Sequence, residues 1–434
     1  MPGELLLVGA SHRTAPIGLR ERLAVEPERA AEMAAELIAE PGLEEALVLA
    51  TCGRTELYAL ASEPEEAERR LTASLASHAG CRPEELAPGV RTARGYAVVA
   101  HLHRVAAGLD SMALGEVEIL GQLRRASALA SAAGPRGRIL ERLVESSLAT
   151  GRRVRHETDI GGGRASIASA AVGIASRHLR PDMDGSALVI GSGNTGAKTA
   201  RALGAAGLGV TVVAGRRRER ASRLASELGR PVAGLDDLPR LLSEVDLVVS
   251  CTSAPHQLVS AEVLVDAVQR RSGRELVAID LAVPRDFDPA ARAVEGVRLY
   301  DLDDLEGELR FTAGRRSAAI PAAAAIIAGE VERFMHWTAA LSVVPTIKDL
   351  RARSKGAVLE ALRRSDLAAD ADEDLLRSTS EAIVTRLLHS PTAQLREAAA
   401  QGDADRVTHV VRELFALDAV PSPASNVELR YATT

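Results

Sequence analysis

Aromatic side chains are scarce in this 434-residue chain: Phe, Tyr and Trp together make up 2% of it, so its cores have to be built from Ala, Val, Leu and Ile. Cysteine is scarcer still. Cys52, Cys81 and Cys251 are odd in number and far apart, which excludes a disulfide framework and a Cys-x-x-Cys metal site and favours a reducing compartment. No apolar run approaches the roughly 18 residues that a membrane helix needs. The opening "MPGELLLVGASHRTAP" lacks the basic start and long apolar stretch of a signal peptide. The expectation is a cytoplasmic protein with no membrane partner and no metal. An excess of positive charge is also missing: the net charge is −6, so the molecule is not a polycation that binds nucleic acid indiscriminately.

What is present divides into three regions, as the length suggests. Residues 1–158 hold two short apolar runs, "ELLLVGA" (4–10) and "ALVLAT" (46–51). Between them lies a helical stretch with Met33, Leu37 and Ile38 on one side, giving a β-α-β beginning to an α+β domain. A largely helical segment follows, interrupted around Gly108 to Gly115. Residues 159–305 alternate strand and helix, the pattern of a parallel sheet covered on both faces. Residues 306–434 show no convincing strand. Ile327, Val331, Phe334 and Leu341 mark an amphipathic helix there, and helices this long need a partner for their apolar stripes, so a dimerisation module is favoured over an internal bundle.

"VIGSGNTG" sets Gly191, Gly193 and Gly196 between an apolar strand and a helix. The first glycine permits a tight turn, the second lets a pyrophosphate approach the backbone, and the third lets the helix pack on the strand. The next strand, "VTVVAG" (210–215), lacks the acid that holds the ribose 2′-hydroxyl of NAD, and Arg216, Arg217 and Arg218 follow instead. A guanidinium pairs with a 2′-phosphate where a carboxylate would repel it. NADPH is the expected cofactor, with Arg216 the first choice of phosphate ligand and Arg217 the second.

"LATCGRTELY" poses the chemical question. Cys52 ends an apolar run, and Arg54 lies two positions on. A cation beside a thiol lowers its pKa and produces the reactive thiolate, and the same arginine could hold an anionic substrate group. Against this, free cysteine is among the most buried residue types. Cys251, within "LVVSCTS", reads as core filler. His101 and His103 are candidate acid–base partners, but positions two apart on a helix point away from each other, and no third ligand completes a metal site with them.

Taken together, "GASHRTAPIGLRERLA", "TCGRTELY", "HLHRVAAGLDSMALGEVEILGQ", "GRRVRHETDIG", "VIGSGNTG", "LAVPRDFDP", "YDLDDL", "EVERFMHW" and "LLHSPTAQLREA" resemble, in order and over nearly the whole chain, the glutamyl-tRNA reductase family. The resemblance implies a multidomain α/β protein: an α+β catalytic domain, a Rossmann-like NADPH domain and an all-α dimerisation domain, joined by a long spinal helix in a homodimer. It implies an oxidoreductase of tetrapyrrole biosynthesis in which Cys52 attacks the ester linking glutamate to its tRNA. Hydride from NADPH then reduces the thioester to glutamate-1-semialdehyde. Thr51, Cys52, Gly53 and Arg54 would form the loop around the nucleophile, with Arg54 on the substrate carboxylate. Ser111, Glu116, Val117, Glu118 and Gln122 would complete the pocket, and His101 would support activity. Gly191, Ser192, Gly193, Asn194, Thr195 and Gly196 would hold the NADPH phosphates. The resemblance also makes glutamate-1-semialdehyde aminomutase a partner for the unstable product.

Three departures stand out. The family's Thr-Cys-Asn-Arg is here Thr-Cys-Gly-Arg, its Gly-Glu-Pro-Gln is Gly-Glu-Val-Glu, and its Gly-Ala-Gly-Glu-Met-Gly is Gly-Ser-Gly-Asn-Thr-Gly. An added carboxylate at Glu118 disfavours a second anion in the pocket unless it is paired or faces elsewhere. A paralogue acting on another aminoacyl-tRNA, a small-molecule NADP dehydrogenase and a non-catalytic scaffold are the competing readings. For tRNA, local positive charge is needed; "LRR" (123–125), "GPRGRILER" (134–142), "GRRVRH" (151–156), Arg315 and Arg316 supply candidates.

Overall fold

A computed structural model describes residues 3–133, 137–161, 166–179, 186–213, 218–230, 232–311, 314–365 and 372–418. They form two compact units, Gly3–Val331 and a helical one that begins at Glu332.

The first unit opens with a four-stranded sheet: β1 (Glu4–Ser11), β2 (Leu43–Thr51), β3 (Arg54–Ala61) and β4 (Arg91–Arg94), in the order β2-β3-β1-β4 with every neighbour antiparallel. The helix Pro27–Ile38 joins β1 to β2 and buries Met33 and Leu37. The β-α-β beginning is therefore a split one, because β3 is inserted between its two strands. Sequence reading had no strand at "RTELYALA", where Arg54 and Glu56 break the apolar pattern. All eight of its residues are nonetheless buried, since the two charges satisfy each other. A two-residue turn, Cys52-Gly53, links β2 to β3, with Thr51 opposite Arg54 in the ladder.

Three helices, Tyr96–Ala107, Glu118–Ala133 and Arg138–Glu157, follow the sheet. Gly108 ends the first at φ +76°, a left-handed cap that glycine adopts without a Cβ penalty. The chain then turns through residues 108–117 beneath the β2–β3 hairpin. Glu45 on β2 accepts hydrogen bonds from the N–H groups of Ile139 and Leu140 (3.0 and 2.6 Å), so a strand carboxylate caps the third helix where unpaired donors and the helix dipole favour an anion.

The second sheet is parallel: β5 (Ser186–Ile190), β6 (Gly209–Val213), β7 (Val232–Ala233), β8 (Leu247–Ser250), β9 (Leu276–Asp280) and β10 (Val297–Tyr300). Its order is β10-β9-β8-β5-β6-β7. The chain winds outward from β5 first one way and then the other, so the crevice beyond the end of β5 is the switch point at which such sheets take ligands.

A single helix, Gly314–Ser342, leads from the first unit into the second, and Ile327, Val331 and Phe334 along it are buried. The helices Val344–Arg364, Glu373–Leu387, His389–Ala400 and Ala404–Leu414 follow. They share a core of Val343, Ile347, Leu350, Val384, Leu388, Leu395 and Ala399. Leu387, Leu414 and Phe415 stay exposed on this unit.

Candidate active site

The β2–β3 turn delivers Cys52 to a small cavity lined by His12, Thr51, Gly53, Arg54, Ser111, Met112, Glu116, Ile119, Gln122 and Ile167. The Gly53 N–H donates to Thr51 Oγ1 (3.2 Å) and the Gly53 carbonyl accepts from the His12 N–H (2.8 Å), which ties the turn to the end of β1. Thr51, Cys52, Gly53, Arg54, Ser111, Glu116 and Gln122 are thus brought together. Val117 and Glu118 are not in the wall. Val117 is 63% exposed, and Glu118, at the start of its helix, accepts a hydrogen bond from Asn194 Nδ2 (3.0 Å) and pairs with Lys198 on the glycine-turn helix.

Arg54 is buried and committed. It pairs with Glu56 (2.8 Å) and donates to the Asp110 carbonyl. Glu56 accepts further bonds from Tyr58 Oη (2.7 Å) and His101 Nε2 (2.9 Å). Burial by itself would raise Glu56, but Arg54 and His101 bring it down to about 2. Asp110 continues the network to Arg13 (3.2 Å) and Arg104 (3.1 Å). His101 therefore stands behind Arg54 rather than in the cavity wall. His103 is a core histidine, bonded to the Val99 carbonyl (2.8 Å) and Ser146 Oγ (3.0 Å).

The cation acting on Cys52 is Arg20, not Arg54. Arg20 donates to the Cys52 carbonyl (3.1 Å) and pairs with Asp303 at the edge of the parallel sheet. Its field is outweighed. Burial first, and then Glu116, push the thiol up to about 12, so the depressed thiol expected from an adjacent arginine is not found and a proton acceptor is required. Burial and the nearby Glu118 raise Glu116 to about 7. Sequence reasoning gave no role to His12 or Arg20, although both lie in the "GASHRTAPIGLRERLA" block; folding brings each to the hairpin tip.

At the switch point, Gly191 has φ +99° and lies against the Cys251 carbonyl, where a Cβ would come within 2.9 Å. A Cβ at Gly196 would strike the Gly191 carbonyl oxygen at 2.1 Å, whereas one at Gly193 would meet nothing within 4 Å. The turn is closed on its protein side and open on its outer side, the shape that admits a pyrophosphate at the N-terminus of the helix Asn194–Ala205. Ser192 and Thr195 belong to the same turn. Arg216 and Arg217 lie outside the described residues. Cys251 sits beneath the turn, its N–H on the Ile190 carbonyl (2.9 Å).

A doubly wound parallel sheet with a glycine turn at its switch point, in a chain that also carries an antiparallel domain and a helical tail, is the layout of an oxidoreductase. The comparisons give the particular family. Residues 8–158 match the glutamyl-tRNAGlu reductase N-terminal domain, 174–308 the shikimate/quinate 5-dehydrogenase family, and 322–417 the glutamyl-tRNAGlu reductase dimerisation domain. Glutamyl-tRNA reductase from Salinispora arenicola is 39% identical over 98% of this chain and 94% of its own length. The protein of that name from Rubrobacter xylanophilus is 38% identical over 95% and 96%. A solved structure of glutamyl-tRNA reductase from Methanopyrus kandleri is 28% identical, covers 96% of this chain and 99% of that one, and has a TM-score of 0.48. The chain belongs to the glutamyl-tRNA reductase family.

Proposed function

We propose that the chain reduces glutamyl-tRNA to glutamate-1-semialdehyde, with release of the tRNA, through a thioester on Cys52. The observation that carries this reading is the convergence of Cys52, Arg54, Ser111, Glu116 and Gln122 on one cavity in a chain so like the glutamyl-tRNA reductases along its whole length. The departure at Glu118 does not count against glutamate, because that carboxylate is paired with Lys198 outside the cavity wall.

Arg54, its fork held by Glu56 and Asp110, presents fixed positive charge to the substrate's side-chain carboxylate. Glu116, near neutrality, accepts the Cys52 proton. The sulfur adds to the ester carbonyl carbon, the bond to the ribose oxygen breaks, that oxygen takes a proton, and the glutamyl group remains on sulfur. A nicotinamide cofactor, when bound, would supply the hydride that brings the acyl carbon to the aldehyde level. The carbon–sulfur bond then breaks and Cys52 is restored. Gly191 to Gly196 hold the cofactor's phosphates, and the acid-free strand β6 favours the 2′-phosphate of NADPH, with Arg216 and Arg217 as its partners.

Exposed Arg124, Arg125 and Arg152 offer phosphate contacts for tRNA. Arg155 and Arg316 do not serve this purpose, since they bond backbone carbonyls at Ala106 and Leu114; Arg136 and the Arg315 side chain lie outside the described residues. Leu387, Leu414 and Phe415 on the helical unit are exposed apolar side chains of the kind a second copy would cover. The test is incubation with glutamyl-tRNA in the absence of NADPH, followed by intact-mass measurement. One glutamyl group is expected on the wild type and none on Cys52→Ser; an unlabelled wild type defeats the proposal.

A further inference from the structure

His12 is 9% exposed, and its Nδ1 is buried with no hydrogen-bond partner. Leaving such an atom unpaired is costly, and orphaned buried polar atoms in folded proteins call for an explanation. The position of this one supplies it. Ser11, the last residue of β1, pairs with Arg54, the first of β3, so the chain leaves the sheet at His12 directly beside the Cys52-Gly53 turn. The His12 N–H bonds the Gly53 carbonyl (2.8 Å), and Thr14 and Ala15 N–H groups bond the Ser11 carbonyl (both 2.9 Å), so the residue is held on both sides. Nδ1 lies 3.8 Å from where a Cβ would stand on Gly53, inside the wall of the cavity.

The charges around the ring define what it can do. Arg54, Arg13 and Arg20 act on it, opposed by Glu306, and with burial as the largest cause the imidazole falls to about 4. It is neutral at physiological pH and a poor base for a thiol near 12. A neutral imidazole in a positive field is instead a hydrogen-bond donor suited to an oxygen that becomes negative, as triosephosphate isomerase uses one. Two other donors at the turn are taken: the Gly53 N–H by Thr51 Oγ1, and the Arg54 fork by Glu56 and the Asp110 carbonyl.

The geometry points to His12 as a catalytic residue that donates a hydrogen bond from Nδ1 to the carbonyl oxygen of the acyl group as Cys52 attacks it. This assignment rests on the acyl-transfer reading given above and adds to it the group that receives the developing charge. The glycine at position 53 keeps the path from Nδ1 to that oxygen open.

Single-turnover acylation by glutamyl-tRNA, without reductant and followed by quenched intact mass, tests it in the full chain. His12→Leu is expected to slow acylation about 100- to 1,000-fold while tRNA affinity stays within about twofold. His12→Asn, whose amide N–H reaches the Nδ1 position, should recover at least about tenfold of the loss. The thermal midpoint of His12→Leu should be equal to or above that of the wild type, because an unpaired polar atom has been removed. A wild type that takes up no glutamyl group overturns both the reaction and this role. A wild type that is acylated together with a His12→Leu variant acylated equally fast overturns the role alone. Equal slowing of the Leu and Asn variants with a lowered midpoint also overturns it, in favour of a structural part for the ring.

Discussion

Glu56 and Glu118 are each paired with a cation, but their surroundings differ. Glu56 is 3% exposed and shares Arg54, His101 and Tyr58 in a closed network. The Glu118 side chain is 22% exposed, and its partner Lys198 is 47% exposed, in the seam between the antiparallel domain and the glycine-turn helix. The first pair has given up its water and relies on every member of the set; the second keeps water as an alternative partner. Removing one member of a buried pair costs about 3–5 kcal/mol, because the other charge is left unpaired, whereas an exposed pair contributes about 0–1 kcal/mol. The acid is a glutamate in both, against Arg54 in one and Lys198 in the other, and the larger difference is solvent.

The sharpest way to break this contrast is Glu56→Leu, which strands Arg54. A loss of about 3–5 kcal/mol in unfolding free energy is expected by urea titration, together with loss of reductase activity. A near-neutral effect would mean that water reaches Arg54. Acid gives the same answer without mutation. Glu56 falls to about 2 in the folded chain from an ordinary 4.5, so it binds fewer protons folded than unfolded. Its contribution is full above about 4.5 and is lost as pH falls toward 2. Urea midpoints of the wild type should therefore drop over that range more steeply than those of Glu56→Gln.

His101→Asn probes the same network from one bond further back. Loss of a charge-assisted bond of about 1.5–3 kcal/mol loosens Arg54, so KM for glutamyl-tRNA should rise about tenfold or more, with a smaller change in kcat. A fall confined to kcat would instead put the imidazole at the reacting atoms. The smallest effect belongs to Glu118→Gln, expected to change stability by no more than about 1 kcal/mol and to leave the thermal midpoint nearly independent of salt. A large loss there would show that the seam holds the two domains together.

The helical end, the doubly wound sheet and the glycine turn were all legible in the sequence, because apolar spacing and a G-x-G-x-x-G between strand and helix are local signals. The β3 strand was not. Arg54 and Glu56 disguise it, and only their mutual pairing makes a charged strand tolerable inside a sheet. Nearness in sequence makes Arg54 a candidate partner for the sulfur as well as for a substrate anion, yet in a two-residue hairpin it stands across the ladder from Thr51 and pairs with Glu56. His101 and His103 separated as helix geometry requires, one to a polar network and the other to the core.

The family was legible in the sequence alone: the block around Cys52 and the glycine turn are made of contiguous residues whose types and spacing carry the meaning. The environment of that thiol was decided by tertiary structure. Arg20 reaches the Cys52 carbonyl across 32 positions, and Lys198 reaches Glu118 across 80. Burial and the charge of Glu116 raise a thiol that its sequence neighbours suggested would be lowered. The physical reason is that reactivity depends on solvent and field at one atom, and both are created only when distant segments close around it.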